Sequence, residues 1–377
     1  MSSSAQYKSK GLPEAEKLAW LRLIRSENIG PATFHDLLDH AGSAISALEM
    51  LPALSRRGGK KAIKICSPEE AEAEYSSHHS KGARLVAFGE EGYPQHLMHI
   101  DAPPPLLSVK GGNALSQPRM IAIVGARNAS LSGRKIAARF AKELGEEGFV
   151  IASGLARGID AAAHEAATRS GTIAAFAGGI DVLYPPEHDR LLAAILDGGG
   201  TAISEMPLGW KPRGRDFPRR NRLISGVSLG VIVIEAAKAS GSLHTARYAL
   251  EQNRDIFAVP GSPLDPRSAG TNGLIRQGAA LITCVEDILE GLSGRLEPIL
   301  PLQPRLLEPN RPSPGGAEPS GKLRDKLLSA LGPTPIDVDE LIRFAEVDAR
   351  TLHVLLLELE LGGRLERHPG NKISLLM

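Results

Sequence analysis

The sequence predicts an α/β protein with a doubly wound, mainly parallel sheet over residues 82–294, and a small all-helical domain before it. Two observations predict this class. Short β-rich runs alternate with helical patterns, an order typical of parallel sheets with helices on both faces. Several of these runs are continuously apolar, as expected of strands that are buried on both faces.

The predicted strands lie between turn-forming residues, and helical patterns fill the gaps between them. We predict strands at 84–88, 120–124, 149–152, 172–176, 201–204, 230–234, 256–259 and 280–283. The clearest helical patterns are 131–144, 158–169 and 242–252.

The flanking regions have a different character. Residues 1–66 contain no strand pattern, and apolar residues at helical spacing over 14–24 and about 34–51 predict a small helical domain. Seven prolines fall between 298 and 319, a density that blocks helices and sheet ladders. We therefore predict a linker at 295–320 and a separate module at 321–377.

Charge and aromatic content limit the kinds of partner. The 377 residues include 44 Lys and Arg against 43 Asp and Glu, a net charge of +1. A polyanion would therefore have to bind a local basic patch rather than a generally basic protein. The aromatic content of only 4% disfavours an aromatic-rich RNA platform or a carbohydrate-binding sandwich.

Cysteine usage and hydropathy suggest a cytoplasmic protein. The two cysteines, Cys66 and Cys284, belong to no CxxC motif and are too few for a disulfide framework or a zinc finger. No apolar stretch is long enough to span a membrane, and the first residues do not form a secretory signal. We expect a reducing compartment and no membrane association.

Glycine-rich turns follow several predicted strands, where doubly wound sheets bind ligands. After the strand at 120–124, Gly125 and Arg127 precede a helix, an arrangement that suits an anion, although a plain turn with a surface arginine is equally consistent. The spacing is neither GxGxxG nor the GxxxxGK[ST] of a phosphate-binding loop. A dinucleotide site is therefore only weakly supported.

Other strand ends carry small residues that we predict to face phosphates. They are Ser153, Gly154, Gly178, Gly179, Ser240, Gly241 and Ser242. A rigid connecting loop is an equally good interpretation of the Gly178–Gly179 turn. Asp160 and His164 share one helix face, where they could act in acid–base chemistry. A structural hydrogen bond is the interpretation that we favour for them.

The strongest local signal is the segment 211–222, which has six basic residues and one acid, Asp216. Its cations would neutralise phosphates, and Phe217 would stack on an unpaired base. The alternative is a solvated loop with Phe217 in the core, which we consider the weaker interpretation. The sequence shows no metal-ligand cluster and no catalytic set, so we assign no catalytic residue, metal or cofactor. A binding protein is favoured over an enzyme.

Taken in order, these motifs resemble the DNA-processing protein A family, DprA, also called Smf. The resemblance covers about 82–290 and rests on IVGAR (123–127), SGLARGID (153–160), AGGIDVLYP (177–185), FPRRNR (217–222), EAA…SGS (235–242) and AVPGS (258–262). It implies an extended Rossmann-like domain that binds single-stranded DNA and dimerises. It also implies that the protein protects single strands and helps to load the RecA recombinase, as in natural transformation.

The family's DNA contacts can be carried over to this sequence by motif. The resemblance implies that the strand is bound by Gly125, Arg127, Arg213, Arg215, Phe217, Arg219, Arg220, Arg222 and Arg254. Loop length leaves open which of Arg213 and Arg215 makes the contact.

The two ends of the chain resemble domains found in some members of the family. Residues 1–66 resemble a SAM-like or helix-hairpin-helix-like domain with only a partial hairpin signature. Residues 321–377 resemble a winged helix, with helices at 322–331, 337–344 and 350–361, and a wing at 365–375 with Pro369 and Gly370 in its turn. The third helix carries Glu358 and Glu360, which disfavours entry into a DNA groove and favours protein contact or regulation.

Two other functions remain open on the same fold. One is an enzyme that hydrolyses or transfers a nucleotide, with Asp160 or Glu235 as a catalytic acid. The other is a small-nucleotide sensor that signals through the winged helix. A small nucleotide needs one or two cations, whereas a DNA strand needs a track of them, so the basic segment favours the single-strand binder.

Overall fold

A computed structural model describes residues 11–60, 62–295, 321–368 and 370–376. Most of the predicted linker and the wing residue Pro369 therefore lie outside the described residues. The described chain forms two compact units. One holds residue 11 and residues 74–295, and the other combines residues 12–73 with the C-terminal segment from 321.

The N-terminal region is helical, as predicted. Its helices are α1 (Glu14–Arg25), α2 (Pro31–Ala41), α3 (Ala44–Arg57) and α4 (Pro68–Ser80). The apolar stretch 34–51, read from sequence as one pattern, forms parts of two helices. Gly42 ends α2 in the left-handed conformation, and the Ser43 hydroxyl accepts the Ser46 N–H to begin α3.

The central unit contains a nine-stranded sheet. Its strands are β1 (Ala83–Ala87), β2 (Leu106–Gly111), β3 (Met120–Gly125), β4 (Val150–Ser153), β5 (Thr172–Ala175), β6 (Thr201–Ser204), β7 (Gly230–Ile234), β8 (Asp255–Ala258) and β9 (Ala280–Leu281). The order is β1-β2-β6-β5-β4-β3-β7-β8-β9. From β6 to β9 along this order all pairs are parallel, whereas β2 is antiparallel to both β1 and β6.

Strand β2 was not predicted. Its sequence, LLSVKG, is interrupted by Ser108 and Lys110 and follows a proline-rich approach, so it lacks the continuous apolar run of the central strands. Ser108 is nevertheless buried. Its hydroxyl bonds to His78 Nε2 at 2.9 Å, which satisfies the polar group inside the protein. The last predicted strand, 280–283, is shorter than expected, since only Ala280–Leu281 pairs with β8.

Helices cover both faces of the sheet. They are α5 (Leu131–Glu146), α6 (Ile159–Ala167), α7 (Asp189–Asp197), α8 (Asp216–Gly226), α9 (Ser242–Glu251), α10 (Ala269–Arg276) and α11 (Val285–Leu292). Side chains that alternate along β3 and β7 enter two different cores: Ala122 and Val124 face α8 and α9, whereas Ile121 and Ile123 face α5 and α6. The chain reverses direction across the sheet between β3 and β7, so this is the switch point of the fold.

The basic segment 211–222 is not a loop throughout. Its second half forms the first two turns of α8, beginning at Asp216. The Asp216 carboxylate accepts the Arg213 N–H at 2.8 Å and the Trp210 indole N–H at 3.0 Å, which fixes the turn before the helix. Pro218 is tolerated because the first helical turn needs no intrahelical N–H donor.

The C-terminal segment has a winged-helix fold, as predicted. Its helices are α12 (Gly321–Ala330), α13 (Val338–Ala345) and α14 (Ala349–Leu361), and its small sheet is formed by β10 (Ile336–Asp337), β11 (Leu365–His368) and β12 (Lys372–Leu375). The sheet order is β10-β12-β11. Asp337 and Asp348 cap α13 and α14 through their carboxylates.

Two further properties of the described residues concern membrane-spanning helices and sets of metal ligands. None of its helices has the length and apolar character needed to cross a membrane. Within the same residues, no three His, Cys, Asp or Glu side chains converge as a set of metal ligands.

A buried histidine ties α6 to the sheet. His164 Nε2 accepts the Leu155 N–H at 3.3 Å, so Nδ1 carries the proton and donates to Thr172 Oγ1 at 2.7 Å. The Thr172 hydroxyl in turn donates to Ile151 O at 2.6 Å. Burial, followed by the positive charges of Arg220 and His188, lowers the pKa of His164 to about 3.

This histidine makes stability depend on pH. Its folded pKa lies below its unfolded value of about 6.5, so the stabilisation is complete above that pH and is lost as the pH falls towards 3. We expect His164→Gln to remove this contribution. In urea titrations the stability difference between wild type and variant should shrink below about pH 6.5, by at most about 1.4 kcal/mol per pH unit. The matched control is His99→Gln, at an exposed histidine, whose stability difference from wild type should not depend on pH. A pH-independent difference for His164→Gln would contradict the lowered pKa of His164.

Candidate nucleic-acid interface

The switch point at the carboxyl ends of β3 and β7 is filled by one of the protein's own carboxylates. Glu235, in the left-handed conformation at φ 51°, follows β7 directly. Its Oε2 accepts the Ser130 N–H at 2.8 Å, and its Oε1 accepts the Ser130 hydroxyl. Ser130 Oγ also accepts the Gly133 N–H at 2.9 Å. The start of α5, where the sequence suggested a phosphate, is therefore capped from within.

Two glycines allow the strand-end loops to approach each other closely. A Cβ atom on Gly125 would lie 1.8 Å from Ile234 O on the neighbouring strand. Gly158 has a φ of 81°, and a Cβ there would lie 2.3 Å from Ala126 O. Gly125 thus serves strand packing, and the loop that follows it presents Arg127 as an exposed side chain.

The turn at Ser153 and Gly154, expected to face phosphate, is directed inwards. The Ser153 hydroxyl donates to Ile123 O at 2.6 Å, and the Gly154 N–H donates to Asp160 Oδ2 at 3.1 Å. Both residues are buried. Their polar groups are satisfied within the protein and do not face a ligand.

Arg220 is also a core residue rather than a surface contact. Its Nη1 donates to Gly154 O at 2.7 Å and to Ala175 O, at the carboxyl ends of β4 and β5. Only 6% of the residue is exposed. Burial lowers the pKa of Arg220 to about 10, and the nearby charge of Asp160 opposes that shift, so the guanidinium remains protonated at neutral pH.

Asp160 and His164 do not form a pair. Asp160 Oδ2 accepts the N–H groups of Gly154 and Ala156, whereas both ring nitrogens of His164 bond to Leu155 and Thr172. This geometry agrees with the structural interpretation that we favoured and provides no acid–base dyad.

Gly178 and Gly179 make room for a neighbouring loop. A Cβ atom on Gly178 would lie 2.7 Å from Trp210 O, and one on Gly179 would lie 2.5 Å from Pro207 O. The Gly179 N–H donates to Trp210 O at 2.9 Å. These buried glycines let the segment 207–212 pack closely against the end of β5, which agrees with the interpretation of this turn as a rigid connecting loop.

The turn before α9 is the most open of the predicted phosphate-facing turns. Gly241 is exposed, and a Cβ atom there would meet nothing within 4 Å. The hydroxyls of Ser240 and Ser242 lie 2.8 Å apart, and Asn221 Nδ2 donates to Gly241 O at 3.2 Å. Gly241 is therefore accessible to a ligand, whereas Ser242 is buried and its N–H donates to Ser240 Oγ at 3.4 Å.

An exposed group of rings and one cation lies on the carboxyl side of the sheet. The Phe217 ring lies 5.2 Å from the Tyr184 ring, at an interplanar angle of 59°. The guanidinium of Arg127 lies over the Phe217 ring, 5.3 Å from its centroid. Tyr184 is 48% exposed, and Phe217 is half-buried. We call Arg127, Tyr184 and Phe217 the stacking cluster.

Further cations precede α8 in the segment that leads to the stacking cluster. The Arg213 guanidinium lies over the Trp210 ring, 4.9 Å from its centroid. Lys211, Arg213 and Arg215 are all exposed. Within the described chain, none of the three forms a side-chain ion pair. Their charges are therefore available to a polyanion.

Two arginines of α8 pair with a buried carboxylate. Arg222 Nη2 contacts Glu205 Oε2, and Arg219 Nε lies 3.1 Å from Glu205 Oε1. Burial alone would raise the pKa of Glu205, but the two guanidinium groups hold it below its ordinary value. Arg222 also donates to Ala102 O and is 12% exposed, so it stabilises the fold. Arg219 is 47% exposed and can still reach a ligand.

Arg254 lies at the amino ends of the parallel strands, at the far end of the strands from the stacking cluster. It immediately precedes β8, which runs parallel to β3 and β7, so it occupies the amino side. Its Nη2 donates to His96 O at 2.7 Å and to Gly226 O at 3.2 Å. Burial lowers the pKa of Arg254 to about 10. The motif match thus carried over a residue that is separated from the stacking cluster by the sheet.

Sequence reasoning did not include Tyr184, Trp210 or Lys211 among the site residues. The closeness of Tyr184 to Phe217 is a tertiary property that no local pattern contains. Lys211 and Trp210 lie in or next to the basic segment. The clustering of cations with flanking aromatic residues is the signal that could have included them.

Comparison with models of known protein families identifies the family of this chain. The model of the DNA recombination-mediator protein A family matches residues 84–293, more than half of the chain. The chain belongs to the DprA family. Models of the DprA-like N-terminal HHH domain and the DprA winged-helix domain match residues 14–77 and 311–371.

Relatives and solved structures cover most of the chain. Protein Smf of Escherichia coli is 40% identical over 304 residues, which span 80% of this chain and 79% of that protein. Protein Smf of Synechocystis is 30% identical and spans 95% of this chain and 98% of its own. The structure of DprA from Streptococcus pneumoniae has a TM-score of 0.60 at 33% identity, and covers 74% of this chain and 98% of its own.

A second structural relative bears on ligand chemistry. It is DprA from Helicobacter pylori, whose structure was described for its single-stranded DNA binding mode. It has a TM-score of 0.51 at 28% identity, and covers 56% of this chain and 96% of that chain. DprA members therefore share both sequence and fold with the central unit.

Mutation should distinguish the arginines that bond within the core from those that are exposed. We expect Arg220→Met to lower the free energy of unfolding by about 3–5 kcal/mol, because it leaves Asp160 buried without its cation and two carbonyls without their donor. Arg215→Met should change stability by less than about 0.5 kcal/mol, since that side chain is exposed. Denaturant titration measures the free energy of unfolding of both variants. An Arg220→Met variant as stable as Arg215→Met would show that Arg220 has no structural role.

Proposed function

We propose that this DprA-family protein binds single-stranded DNA on the carboxyl side of its sheet. The observation that carries the proposal is the stacking cluster, in which an exposed arginine and two adjacent rings share an accessible surface. Bases of a single strand expose their faces for stacking, and such contacts contribute about 1–3 kcal/mol per base. A duplex hides those faces.

The neighbouring cations extend this surface into a track. Arg213, Arg215 and Lys211 are exposed beside the start of α8, and Arg219 is partly so. Their charges would neutralise successive phosphates, which makes affinity depend on salt and not on base sequence. The exposed Gly241 would let a phosphate approach the turn before α9. Arg220, Arg222 and Arg254 are left out of the proposed contacts because they bond within the protein.

A nucleotide-hydrolysing enzyme fits the site less well. Glu235 caps α5 and so occupies the helix start where a nucleotide phosphate would bind. Asp160 is committed to two backbone N–H groups and lies beside Arg220. Neither carboxylate is placed to serve as a free catalytic acid, so binding without chemistry is the function that we infer.

We further propose that the bound strand is protected and passed to the RecA recombinase, as in natural transformation, and that the protein acts as a homodimer. The family's description as recombination mediators supports the first part. Strand exchange by RecA on DNA pre-coated with single-strand-binding protein tests it. Addition of this protein should shorten the lag before exchange, and an unchanged lag would argue against mediation.

Arg127 tests the phosphate contact. Arg127→Ala should lower affinity for single strands about tenfold, the loss expected from one charge-assisted hydrogen bond. The slope of log affinity against log salt should become shallower by about 0.7. Fluorescence anisotropy with a labelled dT oligonucleotide measures both quantities. The control is Arg169→Ala, an exposed arginine that precedes β5 at the amino edge. Equal losses for the two variants would reject Arg127 as a specific contact.

The rings test stacking separately from charge. Phe217→Ala and Tyr184→Ala should each weaken binding by about 1–3 kcal/mol, with no change in salt slope because no charge is removed. Phe344→Ala, an exposed phenylalanine of the winged helix, is the matched control. A ring variant that binds as tightly as wild type would remove that residue from the proposed surface.

A further inference from the structure

The third helix of the winged helix, α14, is buried on two opposite faces. Leu352, Leu355, Leu356 and Leu359 repeat at helical spacing and form the winged-helix core. Leu357, Glu358 and Leu361 point the other way and are also buried, with 1%, 0% and 0% exposure. On this second side α14 packs against α2 and α3 of the N-terminal domain, within the same compact unit.

The contact includes a close backbone approach. A Cβ atom on Gly58, at the end of α3, would lie 1.8 Å from Glu358 O. A Cβ on Gly362, at the end of α14, would lie 2.3 Å from Gly58 O. Gly58 has an ordinary right-handed conformation at φ −70°, so glycine is required there by proximity and not by backbone strain.

Charged groups complete the contact. The fully buried Glu358 carboxylate lies 3.4 Å from Arg57 Nη1 of the N-terminal domain and also pairs with Arg324 of α12. Arg367 of β11 contacts both Glu360 and Asp36 of α2. A buried carboxylate without its cations lowers the free energy of unfolding. Glu358 therefore favours the state in which the N-terminal domain, with Arg57, packs against α14.

The loop between α1 and α2 takes part in the same contact. Asn28 adopts the left-handed conformation at φ 59°, and its Nδ2 donates to Leu361 O at 3.1 Å. It thereby satisfies a carbonyl at the end of α14 that the helix itself leaves unpaired. This loop, between the first two helices of the N-terminal domain, therefore contacts the end of α14 directly.

We propose that α14 is a protein-docking surface whose occupant is the chain's own N-terminal helical domain, and that the two form one cooperative folding unit. The helix that DNA-reading winged helices place in the major groove is thus used for a contact between the two ends of the chain. Its docking face is apolar and acidic, which suits protein and repels phosphate. The winged helix does not read duplex DNA.

Gly58→Ala in the full-length protein tests this inference. Gly58 belongs to the N-terminal domain, but the added methyl group should separate α3 from α14 and so affect the winged helix as well. Hydrogen exchange of the α14 amides should become at least tenfold faster. Gly332→Ala, whose added Cβ would meet nothing within 4 Å, is the control and should leave exchange in α1–α3 unchanged. Wild-type exchange rates in α14 of Gly58→Ala would overturn the proposal.

A milder variant and a binding assay complete the test. If Gly58→Ala does not fold, Arg57→Ala provides the same readout by removing one cation from Glu358, and should still speed exchange in α14. In either undocked variant, affinity for a labelled duplex should stay at the wild-type level. A tenfold gain in duplex affinity would show instead that α14 is a masked DNA-reading helix. Single-strand affinity, measured in parallel, reports on the central unit and separates this proposal from the preceding one.

Discussion

The carboxyl side of the sheet is organised around one buried cation. Arg220 bonds to carbonyls at the ends of β4 and β5, and the charge of Asp160 lies beside it. Because Arg220 belongs to α8, these bonds fix the helix against the sheet. Phe217 lies three residues earlier, on a neighbouring position of the same helix, and thereby reaches the surface beside Tyr184 and Arg127. The stacking cluster thus depends on an arginine that is buried and bonded within the protein.

The same region shows how a fold associated with nucleotides is adapted to another partner. In doubly wound sheets, the helix at the switch point commonly binds the phosphates of a cofactor. Here Glu235 and Ser130 occupy that helix start, and Ser153 and Asp160 bond to nearby backbone groups. With the crevice closed, what remains accessible is an outer surface of cations and rings. An extended strand fits such a surface better than a compact nucleotide does.

Much of the fold was predictable because buried parallel strands leave a strong local signal. All eight predicted strands exist, and the N-terminal helices were predicted from apolar spacing, whereas the winged helix was expected from the family resemblance. Strand β2 was missed because its polar residues become buried only through partners such as His78. The division of 34–51 into two helices depended on the conformation of Gly42, which the apolar pattern did not reveal.

The site was only partly predictable from sequence. Local composition identified the basic segment and Phe217, but it cannot distinguish an exposed arginine from one that bonds to buried carbonyls. Arg127 and Arg220 carry the same side chain, and only the tertiary structure separates them. The contact between Arg57 and Glu358 joins residues about 300 positions apart, so no local pattern contains it.

The accessible surface of cations and rings on this protein should select unpaired bases. The most direct measurement is a fluorescence-anisotropy titration of the wild-type protein with a labelled dT oligonucleotide and with a mixed-sequence duplex, each at two salt concentrations. We expect tight single-strand binding with a slope that reflects several phosphates, and much weaker binding of the duplex. Equal affinity for both, or a slope that reflects a single phosphate, would show that this surface does not bind an extended single strand selectively.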